Sequence, residues 1–188
     1  MEKIKIDSNI VGYPMPMTII GALVEGKANF MAAAWVTRVN YKPPLMGVAL
    51  GRLHHTSVGV HENKTFSINI PDTTLMKETD YCGLVSGKEI DKSKLFDIFY
   101  GELKTAPMIK QCPVTMECRV VNAVDMEIDT LFIGEIVGAY TEEKFLAKGN
   151  LDIRKIKSFL LTMPDNNYWD LGNNIGKAWS AGEEIKPE

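Results

Sequence analysis

The chain contains no apolar run approaching the ~18 residues that a membrane-crossing helix needs, and Met-Glu-Lys-Ile-Lys-Ile-Asp at its start lacks the apolar core of a secretory leader. A cytoplasmic protein without a membrane partner is the expectation. Cysteine is scarce: Cys82, Cys112 and Cys118 form no Cys-x-x-Cys pair, and an odd number closes no disulfide framework. They read as reduced thiols, with Cys118 alternating with Val114, Met116 and Val120 and so directed into a core. Basic excess is also missing. Twenty-one Lys and Arg stand against 24 Asp and Glu, a net charge of -3, which argues against a nucleic-acid surface, since binding to phosphate backbones is driven by clustered excess Lys and Arg.

Several catalytic and nucleotide signatures are absent too. No Gly-x-Gly-x-x-Gly occurs, so a Rossmann dinucleotide fold has no support. Gly21 to Gly26-Lys27 has the spacing of a phosphate-binding P-loop, but Ala28 stands where a magnesium-holding Ser or Thr is needed, and a hairpin turn is the better reading. His54, His55 and His61 lack a His-Glu-x-x-His arrangement or a matching carboxylate set, which gives no metal site. Ser86 has no nucleophile-elbow context.

What remains is an ordinary globular composition, 188 residues with 45% hydrophobic and 24% charged, without repeats or a low-complexity linker. One domain over 1–188 is expected. Met17 to Val24 reads as a strand turning at Glu25-Gly26-Lys27 into a second strand, Ala28 to Val36. Pro43-Pro44 forbids helix and sets off a strand from Leu45 to Leu50. Thr56 is placed to cap a short helix running to Asn63. Phe66, Ile68 and Ile70 alternate with Thr65, Ser67 and Asn69, the pattern of a half-buried strand. Leu75 to Val85 has helical spacing, and Lys94 to Phe99 offers a further helical turn. Val114 to Val121, with Thr115, Glu117 and Arg119 outward, should pair antiparallel with Asp129 to Tyr140. From Asn150 the pattern weakens into a loop-rich tail holding Tyr168-Trp169. Six or seven strands with short helices suit a small mainly-β barrel rather than a doubly wound fold.

The most informative segment is Asn29 to Thr56. It carries Ala32-Ala33-Ala34, a run that wastes burial on both faces of a strand but suits the approach of a flat ring. Trp35 follows it. Further on, Arg52 and Thr56 precede a helix start, where a phosphate would meet a guanidinium, a hydroxyl and free backbone amides. A histidine there, His55, adds a further donor. The segment resembles the cofactor-binding region of the flavin reductase-like family, flavoredoxin-type FMN-binding split barrels, in which Asn-x-Met-x-x-x-Trp, Pro-Pro and Arg-x-x-x-Thr recur in this order. Asn69-Ile70-Pro71, Gly83, Ser86-Gly87-Lys88, Ala106-Pro107, Glu117-Cys118 and Gly134-Glu135-Ile136-Val137 extend the likeness over most of the chain.

The resemblance implies an FMN-binding split β-barrel with short flanking helices and a homodimer with flavin near the subunit interface. It implies flavin contacts from Asn29, Met31, Ala32, Ala33, Ala34, Trp35, Leu50, Gly51, Arg52, His55 and Thr56, with Ser86, Gly87 and Lys88 as a second contributor. The function it implies is transfer of reducing equivalents through noncovalent FMN, either as an NAD(P)H:flavin oxidoreductase or as a flavoredoxin-like carrier serving a small-molecule or protein redox partner. Since the cofactor carries the chemistry, no acid–base pair of the protein's own is demanded. A non-catalytic flavin-binding module is the alternative, and the pyridoxamine phosphate oxidase variant of the barrel is disfavoured by the Asn-x-Met-x-x-x-Trp and Pro-Pro pattern.

Overall fold

In the computed structural model, which describes residues 1–183 and Ile185, the chain builds one seven-stranded antiparallel sheet with two helices set against it. Strands β1 (Thr18–Val24) and β2 (Lys27–Ala33) form a hairpin in which Val24 pairs with Lys27. The turn residues Glu25 (φ 50°) and Gly26 (φ 76°) both take left-handed backbone, the two-residue turn whose twist matches that of its flanking strands. Strand β3 (Val36–Asn40) then pairs with β4 (Leu45–Gly51), and Asn40 Nδ2 donates to the carbonyl of Pro43 (2.9 Å) across the connecting turn. Helix α1 (His55–Asn63) follows, then β5 (Thr65–Ile70), α2 (Met76–Leu84) and the long hairpin β6 (Val114–Asp125) with β7 (Asp129–Thr141).

The strand order is β2-β1-β5-β6-β7-β4-β3. Strands β2 and β3 are thus the two opposite edges, yet only Ala34 and Trp35 separate them in sequence. Seven flat strands would put the edges about 29 Å apart at ~4.8 Å per strand, whereas the step from Ala33 to Val36 reaches at most about 10 Å. The sheet must therefore curl into a barrel whose seam opens at Ala34-Trp35, and no ladder closes that seam. This is the split barrel expected from the sequence. Its interior holds Ile20, Val36, Val48, Leu50, Phe66, Ile68, Cys118 and Phe132, all buried. A second core, outside the barrel, gathers Ile19, Phe30, Cys82, Phe96, Ile109 and Cys112, with Phe30 and Phe96 packed edge to face at 5.3 Å between centroids.

That outer core corrects two readings of the sequence. Strand β5 is buried on both faces, not one, because the segment around 105–112 lies across its polar side. Ser67 Oγ donates to the Pro107 carbonyl, and Asn69 donates to the Ile19 carbonyl (2.9 Å) while accepting from the Ile109 amide (2.9 Å). Likewise Thr115 and Glu117 on β6 point inward and only Arg119 faces out. Glu117, fully buried, accepts from the amides of Glu102 (2.9 Å) and Leu103 (2.6 Å) and from Tyr140 Oη (2.5 Å), so the loop supplies the partners that water would have supplied.

Other boundaries shift. The second strand ends at Ala33 rather than Val36, at the seam. The expected turn at Lys94 to Phe99 is a 3-10 turn over Lys92–Leu95, and Ile98–Phe99 form a short strand with Met108–Ile109. The tail expected to be loop-rich contains a hairpin, Phe159–Thr162 with Asn167–Asp170, to which Met15–Pro16 adds a third strand. Tyr168 anchors it to α2 by donating to Asp80 Oδ1 (2.7 Å). No helix among the described residues is long and apolar enough to cross a membrane.

Candidate functional site

Three separated segments meet outside the barrel wall: the edge strand β2, the start of α1, and the chain that leaves α2. Helix α1 is seated by Gly59, where a Cβ would collide with the Leu23 carbonyl of β1, so the helix lies closer to the sheet than a side chain would allow. Its N-cap is His54, in extended backbone and without a side-chain cap bond. The expected cap, Thr56, sits instead inside the first turn. Buried Asn29 of β2 draws its hydroxyl inward, Nδ2 donating to Thr56 Oγ1 (2.7 Å), so the hydroxyl is already engaged by a side chain. The first amides of α1 have no intrahelical acceptor and carry the positive end of the helix dipole. Ser57 Oγ, in the same turn, is buried with no hydrogen-bond partner among the described residues.

These elements enclose a cavity of about 280 Å³ lined by Asn29, Met31 and Ala32 from β2, by Leu53 to Thr56 from the α1 entrance, and by Cys82 to Lys88 with Lys92 from the α2 exit. A wider groove of about 620 Å³ continues from it past Lys27, Val58 and Ile90, sharing Asn29, His55, Gly87 and Lys88. Cofactor sites fall in a range of roughly 300–1,000 Å³, so the pair has the room. Gly87 makes the junction narrow: a Cβ there would strike the Asn29 carboxamide, and only a bare backbone lets the exit loop close on β2. The charges are divided. Described residues of the inner cavity include Lys88, Lys92, His54 and His55 but no carboxylate, whereas the outer groove is rimmed by Glu25, Glu62, Glu89 and Asp91. The Cys82 thiol is pushed up to about 11 by burial, which leaves it neutral and unreactive near neutral pH.

Of the fourteen residues that the sequence singles out, the structure brings eight to this cavity: Asn29, Met31, Ala32, His55, Thr56, Ser86, Gly87 and Lys88. Six lie outside its lining. Ala33 and Leu50 face the barrel interior, since strand alternation turns them inward. Ala34 and Trp35 form the seam, with Trp35 about half exposed (48%). Gly51 ends β4 opposite Asp129. Arg52, expected to grip phosphate, continues alongside the β6–β7 turn, where its amide donates to Ile128 O (2.9 Å) and Nη1 to Met126 O (3.3 Å). The cations that line the cavity are Lys88 and Lys92. Lys92 was not legible as a site residue, because nothing in Asp91-Lys92-Ser93 distinguishes a buried lysine from a solvated one; Gly83, also in the lining, stood out only through the family resemblance.

The group these residues suit is flat at one end and anionic at the other. Ala32 and Gly83, beside Met31, leave space against backbone, and the α1 amides with Lys88 suit a dianion. Comparison with known proteins points the same way. Residues 10–157 match the flavin reductase like domain. The crystal structure of flavoredoxin from Methanosarcina acetivorans superposes with a TM-score of 0.96 at 53% identity, covering 97% of this chain and 98% of that one. Flavoredoxin of Desulfovibrio vulgaris (Miyazaki F) gives 0.89 at 29% identity over 97% and 100%. An uncharacterized protein of Archaeoglobus fulgidus is 35% identical over 127 residues, 66% of this chain and 71% of its own. On the match over residues 10–157 and the barrel that carries it, this chain belongs to the flavin reductase-like family.

Proposed function

We propose that the protein is a noncovalent FMN flavoprotein that passes reducing equivalents, acting as an NAD(P)H:flavin oxidoreductase or a flavoredoxin-like carrier. Flavin-linked electron transfer is supported by the family and by the two flavoredoxin structures. The observation that carries the finer reading is the convergence of Asn29, Met31 and Ala32, the open end of α1, and Ser86 to Lys88 on one cavity without a described carboxylate.

Bound FMN supplies the two-electron chemistry, and the protein's share is binding, orientation and electrostatics. Lys88 and the unpaired amides at the start of α1 would hold the phosphate. Asn29 fixes Thr56 and braces Gly87, so one buried carboxamide positions both walls. Short side chains at Ala32 and Gly83 admit the ring to the backbone of β2 and of the loop. Burial against these walls would keep water from the reacting face.

The protein also forms a homodimer on this reading. Leu53, which lines the cavity, is 88% exposed, and Ile128 (73%) and the half-exposed Met126, whose carbonyls accept from its neighbour Arg52, lie with it, an apolar patch beside the cofactor site.

Titration with FMN and riboflavin tests the assignment. Lys88→Ala is expected to weaken FMN about tenfold, ~1.4 kcal/mol, and to leave riboflavin within about twofold, as loss of one charge-assisted phosphate contact requires. Equal losses for both ligands would contradict it.

A further inference from the structure

The sign of the charge reverses where the inner cavity opens into the outer groove. Glu25 in the β1–β2 turn, Glu62 on α1 and Glu89 after α2 come from three separate elements onto the rim of that groove, and none of them forms an ion pair among the described residues. Asp91 joins them. It accepts from Ser93 Oγ (2.5 Å) and N (3.1 Å) and faces Lys94 Nζ at 3.9 Å, which keeps its carboxyl below the ordinary carboxylate range and therefore ionised. Lys27 and Lys88 are the lysines set against these carboxylates. The two spaces share Asn29, His55, Gly87 and Lys88, so the reversal falls at the narrow junction that Gly87 makes with Asn29.

A phosphate held by the first amides of α1 and Lys88 sits at this junction. Whatever is bonded to its far side has to run into the outer groove. FMN ends at the phosphate, a monoester with a charge of about −1.5 to −2 near neutral pH, and all of that charge lies on the cationic side. FAD distributes its charge differently. Its two phosphates are diesters with one charge each, so the first offers the α1 amides less to attract and the second lies among carboxylates. Bulk is not the obstacle, because a groove of about 620 Å³ has room for the adenosine.

We infer that Glu25, Glu62 and Glu89 make this site selective for the flavin mononucleotide over the dinucleotide, by putting negative charge where the second phosphate of FAD would have to lie. The inference rests on the FMN reading above and deepens it, adding which flavin is refused and by which side chains. Repulsion between like charges acts through solvent here, since all three carboxylates are exposed. Each therefore contributes only about twofold, and the three together approach tenfold.

Dissociation constants for FMN, FAD and riboflavin, measured by flavin fluorescence at low ionic strength, test this on wild-type protein and on the triple variant Glu25→Gln/Glu62→Gln/Glu89→Gln. Wild type is expected to bind FMN at least about tenfold more tightly than FAD. The variant should tighten FAD about tenfold and FMN by no more than about twofold. Riboflavin, which carries no phosphate, reports whether the ring site is intact and should be unchanged. An FAD affinity that stays where it was while riboflavin binding is intact, or equal gains for FMN and FAD, would overturn the assignment. So would wild-type protein that binds FAD as tightly as FMN, a measurement that needs no variant to fold. Wild type that binds no flavin removes the FMN reading and this selectivity together; FMN bound without preference over FAD removes only the selectivity.

Discussion

At the residue scale, the site rests on polar side chains with defined partners rather than on a reactive pair. Asn29 and Thr56 hold each other, and Lys92 holds the α2 carbonyls. Tyr168 does the same for the tail. Burial first, and then its hydrogen bond to the Asp80 carboxylate, raise its phenol above the ordinary value of about 10. The folded state therefore holds this proton more tightly than the unfolded chain does. The resulting stabilisation is complete below about pH 10 and is lost as pH rises above it. Urea midpoints measured from neutral to alkaline pH should fall less steeply in Tyr168→Phe than in wild type. Parallel curves would show that the Asp80 contact has no part in the alkaline loss.

At the element scale, the hairpins were the most legible part. Glu25-Gly26 marks the turn between β1 and β2, Pro43-Pro44 sets off β4, and the alternation in Val114 to Val121 and Asp129 to Tyr140 gives the antiparallel pair β6 and β7. What alternation could not show was a second covering layer. Ser67, Asn69 and Glu117 read as solvent-facing because their partners lie in a loop some 40 residues away for β5 and about 15 for β6. The seat of α1 is also set by such a contact. Gly59→Ala would push a methyl against the Leu23 carbonyl and lift the helix, together with the amides that line the cavity. A loss of about 1–3 kcal/mol in stability is expected, with weaker FMN binding, both readable from denaturation with and without ligand. An unchanged urea midpoint would mean that α1 shifts freely.

For the whole molecule, the split barrel follows from one constraint: two edge strands of a seven-stranded sheet joined by two residues. Sequence could count the strands and, through resemblance, name the barrel, but it could not say which way a side chain at the end of a strand would aim. Ser86 to Lys88 and Thr56 reach the cavity; Arg52 turns to the β6–β7 tip, whose position depends on a hairpin more than 70 residues on. The exposed Leu53, Met126 and Ile128 beside that contact are the basis for the proposed dimer. Sedimentation should give twice the chain mass of 21.0 kDa, and Ile128→Asp together with Leu53→Asp should return it to one chain. A wild-type monomer saturated with FMN would remove the dimer.

The central claim is that β2, the α1 entrance and the 82–88 segment form the two ends of one cofactor site. A crystal structure of the protein soaked in FMN tests it most directly. The account predicts the ring against Met31, Ala32 and Gly83 and the phosphate beside the first amides of α1 and Lys88; a flavin bound elsewhere, with its phosphate on Arg52 and this cavity empty, would contradict it.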